Sequence, residues 1–215
     1  NSPRVRYIIN ISAMEETLPP QKIDVLGVGI DPISVDDLLA RINGFIERKE
    51  RALILCVNIY GYNLAHSQPW LIDCWNKSEI VFCDGAGVIL GARILGKTIP
   101  ERITYADWYW RLVERAEKMD YSLFFLGARP GVADKAAEKL RQMYPKLRIV
   151  GVRDGYFDMA QGSSDNEALI RQINDAAPDI ITVGMGMPLQ ERWLYDNWDR
   201  LNARVGLTGG AIFDY

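Results

Sequence analysis

The sequence predicts an α/β protein built on a mostly parallel sheet with helices on both faces. Short apolar runs recur from Lys22 onward, and amphipathic stretches of helical period separate them. Gly, Asp and Asn collect directly after the runs, at the strand ends where such sheets hold ligands. Residues 1 to 21 read as an arm ending in Leu18-Pro19-Pro20, where two prolines stop regular pairing. Residues 22–215 then read as one domain. Ile23 to Ile30 is strand-like, and Ser34 is placed to cap a helix running to about Glu47. Ala52 to Val57 and Glu79 to Cys83 are the next strands. Tyr121 to Leu126, Leu147 to Val152, Asp179 to Val183 and Arg204 to Leu207 continue the series. Helix patterns lie near Gly85–Leu95, Ala106–Lys118, Val132–Tyr144, Asn166–Ala176 and Leu189–Leu201.

Composition narrows the function classes. Of 215 residues, 48% are hydrophobic and 25% charged, enough to bury a large core without a disulfide or metal staple. Lys plus Arg total 25 against 28 Asp plus Glu, a net charge of −3, which argues against a polyanion binder and so against nucleic acid as a partner. Cys56, Cys74 and Cys83 lack CxxC spacing, which suits reduced thiols in the cytosol rather than a secreted disulfide framework. With His66 as the lone histidine there is no Cys/His zinc set. No apolar run reaches the roughly 20 residues of a membrane span, and Arg4, Arg6, Asn10 and Ser12 interrupt any signal-peptide core. The reading is a cytoplasmic protein, with a peripheral membrane contact left open.

The residues that follow the strands are the candidates for chemistry. Asp84 stands between a buried strand and Gly85-Ala86-Gly87, where it serves either as a general base on a sugar hydroxyl or as a helix cap. Arg102 suits a diphosphate through paired hydrogen bonds, or else lies exposed or paired with Glu101. Gly127-Ala128-Arg129-Pro130-Gly131 opens a helix and suits an anionic group, or is plain turn chemistry. Tyr156 suits a stacked base or ordinary packing. Gln190 suits a neutral contact to a sugar or phosphate; otherwise Gln190-Glu191 begins a solvated helix. Leu26-Gly27-Val28-Gly29-Ile30-Asp31 begins like a dinucleotide fingerprint, but Pro32 stands where a third glycine is needed, so close packing at a strand end is preferred. His66 and Cys56 read as structural.

Together these segments resemble the WecG/TagA/CpsF glycosyltransferase family from about Ile23 to Tyr215. The likeness rests on Asn58, Phe82-Cys83-Asp84-Gly85-Ala86-Gly87-Val88, Glu101-Arg102 and Leu126-Gly127-Ala128-Arg129-Pro130-Gly131-Val132. It continues in Gly155-Tyr156-Phe157, Gly186-Met187-Pro188-Leu189-Gln190-Glu191 and Gly209-Gly210-Ala211-Ile212-Phe213-Asp214. The resemblance implies a Rossmann-like fold and transfer of a sugar, N-acetylmannosamine or related, from a UDP-sugar to a polyprenyl-diphosphate-linked saccharide. It implies inverting chemistry without metal or other cofactor, on the inner face of the membrane, in cell-envelope or exopolysaccharide synthesis. The chain has no Asp-x-Asp triplet. By the same resemblance Asp84 is the base, Asn58 and Gln190 line the reaction centre, and Arg102 offsets diphosphate charge. Tyr156, Asp214 and the loop of Gly127, Ala128 and Arg129 lie near the uridine. Cys56, Gly85, Gly186 and Gly210 complete the substrate-binding set.

Two departures stand out. Cys56 occupies a position where many relatives have threonine, which removes a hydroxyl donor. Relatives also continue past the Phe-Asp motif into a segment with arginines and apolar residues, implicated in membrane contact and closure of the site, whereas this chain stops at Tyr215. A truncated form of weak or no activity is therefore expected. Trp70, Trp75, Trp108 and Trp110 are core residues or, if exposed, sites of self-association into a homo-oligomer or of membrane contact. The rival classes are a nucleotide-dependent oxidoreductase or methyltransferase, suggested by the glycine loops, and a non-catalytic nucleotide-sugar-binding module.

Overall fold

The computed structural model describes residues 21–214, so the arm expected over 1 to 21 lies outside the described residues except for Gln21. Eight strands and eight α-helices follow in order among these residues. A short antiparallel hairpin, β1 (Ile23–Val25) and β2 (Val28–Ile30), comes first. The single strand expected over Ile23 to Ile30 is thus two strands. Leu26 and Gly27 both take positive φ, 51° and 85°, the backbone signature of a tight two-residue hairpin turn. The glycines that begin like a dinucleotide fingerprint therefore turn a hairpin and open no helix.

Six strands form one parallel sheet in the order β4-β3-β8-β7-β5-β6. They are β3 (Ala52–Val57), β4 (Ile80–Cys83), β5 (Ser122–Gly127), β6 (Arg148–Arg153), β7 (Ile180–Gly184) and β8 (Val205–Thr208). This is a Rossmann-like α/β architecture. Every residue of β3, β4, β5, β7 and β8 is buried, which is why those segments read as unbroken apolar runs. The pleat sends alternate side chains to opposite faces. Ile54, Cys56, Phe82, Leu123 and Phe125 join one core with α1 (Val35–Glu47), α5 (Tyr105–Met119) and α6 (Val132–Met143). Leu53, Leu55, Val57, Val81 and Phe124 join the other, with α3 (Trp70–Lys77), α7 (Ser164–Ala176) and α8 (Leu189–Asn197). On that second face α2 (Ile59–Ser67) contributes Ala65, and α4 (Ala86–Ile94) contributes Val88 and Ala92.

Local chemistry fixes the boundaries. Ser34 caps α1 as the sequence predicts, in a reciprocal box with Asp37. The free flank of edge strand β4 is covered: the Asp31 N–H donates to the Val81 carbonyl at 2.8 Å, and the Asp31 carboxylate accepts the Val81 N–H at 2.9 Å. Further along the same flank the Ile103 N–H donates to the Cys83 carbonyl at 2.9 Å. That last bond carries Arg102 to the end of β4. Among the tryptophans, Trp75 and Trp108 are fully buried, Trp70 is half-buried and Trp110 is exposed.

Candidate active site

The strands of a parallel sheet point their carboxyl ends to one edge, and the loops there carry almost every candidate residue. Val57 of β3 is followed by Asn58, Cys83 of β4 by Asp84, Gly127 of β5 by Ala128 and Arg129, and Thr208 of β8 by Gly209 and Gly210. The chain passes from β3 to its neighbour β4 and then crosses to β5 on the other side, and a crevice opens where such a winding reverses.

Two clefts lie along this edge. The first, about 330 Å³, is lined by Cys56, Asn58, Tyr60, Asp84, Tyr105, Gln190 and the Gly209–Ile212 turn. The second, about 970 Å³, is lined by Ala128, Arg129, Gly155, Tyr156, Gly186, Leu189 and Asp214. Gly210 and Ala211 belong to both walls, so the clefts adjoin. Nine of the thirteen candidate residues therefore line one cleft or the other, and Gly210 lines both. Arg102, Gly85 and Gly127 line neither.

Asp84 is half-buried beside the first cleft. Burial pushes its carboxyl above the usual carboxylate range, against the pull of the Arg102 cation and with a smaller push from Asp107. Arg102 itself is exposed. Its neighbour Glu101 does not pair with it in a hydrogen bond; the Glu101 carboxylate accepts the Val35 N–H at 3.0 Å at the start of α1. Gly85 takes φ 117° between Asp84 and α4, a conformation closed to most side chains.

Asn58 and Gln190 already have protein partners. The Asn58 Oδ1 accepts the Gly61 N–H at 2.8 Å and so caps α2. The Gln190 Oε1 accepts the Gly186 N–H at 3.1 Å and the Gly210 N–H at 2.9 Å, clasping the loop after β7 to the loop after β8. The Gln190 Nε2 donates to Glu191 Oε1 at 2.8 Å. Gln190 thus fixes the wall the two clefts share, and two of its hydrogen-bonding positions are spent on backbone.

Glu191 is the residue the sequence conceals. It is fully buried rather than part of a solvated helix face, and its Oε2 has no hydrogen-bond partner. Burial pushes its carboxyl up to about 7, only partly offset by the Gln190 amide. Its spacing from Leu194 and Trp198, i+3 and i+7 on one helix face, was the available signal. Cys56 is buried against the first cleft, and burial with the nearby Glu191 and Asp84 carboxyls raises its thiol well above the ordinary value. His66 is exposed in the last turn of α2, away from both cleft walls.

At the second cleft, Gly127 takes φ 143° and Ala128 φ 58°, and the Ala128 N–H donates to the Gly184 carbonyl at 2.8 Å. This turn sends Arg129 and the start of α6 over the cleft. Gly131 begins α6 without a side-chain cap, leaving the helix N-terminus to a ligand or solvent. Tyr156 is exposed and lines the same cleft. Among the described residues no group of three or more His, Cys, Asp or Glu side chains is placed to hold a metal ion.

A parallel-sheet edge with a carboxyl in one cleft and an arginine and a tyrosine in the adjoining one places this chain among α/β proteins with an open crevice at the carboxyl ends of their strands. Residues 23–215 match the glycosyl transferase WecG/TagA/CpsF family, and the chain belongs to that family. It is similar to the N-acetylglucosaminyldiphosphoundecaprenol N-acetyl-beta-D-mannosaminyltransferases of Staphylococcus aureus strains MRSA252 and NCTC 8325 / PS 47. Each is 26% identical over 202 residues, which cover 93% of this chain and 77% of the relative.

Proposed function

We propose that the protein transfers N-acetylmannosamine or a related sugar from a UDP-sugar to a saccharide carried on a polyprenyl diphosphate, with inversion at the anomeric carbon. The observation that carries the reading is the pair of adjoining clefts in a chain of this glycosyltransferase family. The names of the relatives support the sugar and the lipid-linked acceptor.

In this reading the second cleft holds the nucleotide. Tyr156 offers a face for the base, Arg129 and the uncapped start of α6 meet diphosphate charge, and Asp214 accepts from hydroxyl or imide donors. The sugar lies across Gly210 and Ala211 toward the first cleft. Asp84 takes the proton of the acceptor hydroxyl while that oxygen attacks the anomeric carbon. The bond from that carbon to the UDP oxygen breaks, and UDP leaves with the electron pair. One displacement from the face opposite the leaving group inverts the centre. The raised pKa of Asp84 makes it a stronger base than an ordinary carboxylate. Arg102, exposed beside Asp84, adds positive charge against the diphosphates. No helix among the described residues is long and apolar enough to cross a membrane. The test is a panel of UDP-sugars against a short-chain polyprenyl-diphosphate N-acetylglucosamine acceptor, with mass spectrometry of products. A product heavier by one N-acetylhexosamine is expected with UDP-N-acetylmannosamine, weakly from this chain and more strongly when it is fused to a relative's segment past the Phe-Asp motif; no product with any donor from either version would remove the assignment.

A further inference from the structure

Helix α4 begins two residues after Asp84 and is apolar nearly all round. Its Val88 and Ala92 are buried against the sheet, as one stripe of an amphipathic helix must be. The opposite stripe is apolar too: Leu90 is 60% exposed and Ile94 78%, with Leu95 beside them at 47%. A helix with apolar residues on both faces has a second apolar surface to cover, and among the described residues nothing covers it.

The stripe continues onto the cleft. Gly87, Leu90 and Ile94 share a helix face at i, i+3 and i+7. A Cβ on Gly87 would stand only 2.4 Å from the Ile59 Cγ1, so the start of α2 packs directly on the first turn of α4. Ile59 is 49% exposed, and Tyr60, 57% exposed, lines the first cleft. The apolar strip thus runs from the cleft mouth at Tyr60 to Leu95.

Within α4 and the turn that follows it, the charge has one sign. Between Ala86 and Pro100 the sequence has Arg93 and Lys97 and no Asp or Glu, in a chain whose net charge is −3. Both cations are exposed, and neither is among the ion pairs of the described residues. Exposed aliphatic side chains flanked by two cations outside any ion pair of the described residues complement an anionic lipid surface.

We propose that the strip of Ile59, Tyr60, Leu90, Ile94 and Leu95, with Arg93 and Lys97, is the face by which the protein lies on an anionic bilayer. The proposal rests on the reading of the first cleft as the acceptor site, because it sets the Asp84 cleft at the depth where a lipid-linked sugar emerges from the headgroups.

The test uses the 215-residue chain and two double variants, Leu90→Gln with Ile94→Glu and Arg93→Glu with Lys97→Glu. Each is sedimented with phosphatidylcholine vesicles, with and without about one-third phosphatidylglycerol. Binding of the parent chain to the anionic vesicles is expected, with a loss of at least about tenfold in the apolar variant and a clear loss in the charge variant. Parent-level binding by both variants overturns the proposal. So does a lipid-free dimer that Ile94→Glu dissociates while vesicle binding persists, since the strip then belongs to a second copy. Transfer to a water-soluble short-chain acceptor is measured in parallel and is expected to be equal in parent and variants. Transfer without variant-sensitive vesicle binding removes the docking face alone. Variant-sensitive binding with no transfer, either from this chain or from its fusion to a relative's segment past the Phe-Asp motif, supports the face and removes the transferase reading.

Discussion

Two carboxyls carry different burdens, Asp84 in the wall of the first cleft and Glu191 buried behind it near Cys56. Asp84 reaches solvent through the first cleft, and Asp84→Asn leaves every nucleotide-side residue in place. The variant is expected to lose transfer by at least about a hundredfold while keeping its affinity for UDP. Because burial raises the Asp84 pKa, the rate of the parent enzyme should climb with pH and inflect above the ordinary value of 3.8. Near-parent turnover of Asp84→Asn would take the base role from this residue. Glu191 has no opening to water, and its pKa of about 7 against an unfolded 4.5 has a thermodynamic sign. Between those values the native chain holds a proton that the unfolded chain has released, so stability falls as pH rises through that window, by on the order of 3 kcal/mol. Glu191→Gln keeps an acceptor for the Gln190 amide but cannot ionise, so its stability should be level from pH 5 to pH 8. Urea unfolding at both values checks this; parallel slopes for parent and variant would contradict it. The place of Asp84 at the cleft was legible because a residue directly after a buried run falls at the ligand-bearing end of the sheet; the cap that the same position also suits is not made, since Gly85 is the N-cap of α4 and no side chain caps it. Glu191 was not, because a charged residue at the start of a helix looks solvated until the helix is seen to turn that face inward.

At the scale of elements, turn geometry decides how the clefts are shaped. Gly127 ends β5 at φ 143°, and a Cβ there would come within 2.1 Å of the Gly184 carbonyl oxygen. That oxygen accepts the Ala128 N–H, so neither backbone can withdraw without breaking the link between the β5 and β7 loops. Gly127→Ala should cost at least about 3 kcal/mol and lower the thermal midpoint by roughly 10 °C, as read by calorimetry. An unchanged midpoint would mean that the two loops are not locked together. The strands and most helices were legible because burial on both faces leaves continuous apolar runs and amphipathic helices keep their period. Two helices were missed. In α2 only Gly61 and Ala65 are buried, so little periodic signal exists, and Pro69 stands between it and the short α3. The hairpin was missed because Leu26, exposed at its turn, extends an apolar run that does not continue as one strand.

The whole molecule sets two adjoining clefts along one sheet edge. Ligand occupancy of the larger cleft should stabilise the fold, by about 2.7 kcal/mol at a concentration one hundred times the Kd. UDP should therefore raise the midpoint by roughly 5 to 10 °C, while NAD and S-adenosylmethionine leave it in place. A shift with either of those instead of UDP would revive the rival nucleotide-binding classes. Sequence order hides this union, because the strands that bring the clefts together come last. β3 pairs with β4 and β5 with β6 early in the chain, yet β8 lies between β3 and β7, and β7 between β8 and β5. During synthesis the two early pairs therefore emerge with raw inner edges and no shared border. Only when Val205–Thr208 leaves the ribosome can a wedge of two strands zip the halves shut. Until then the nascent chain has open strand flanks, and the turn that walls both clefts has yet to form.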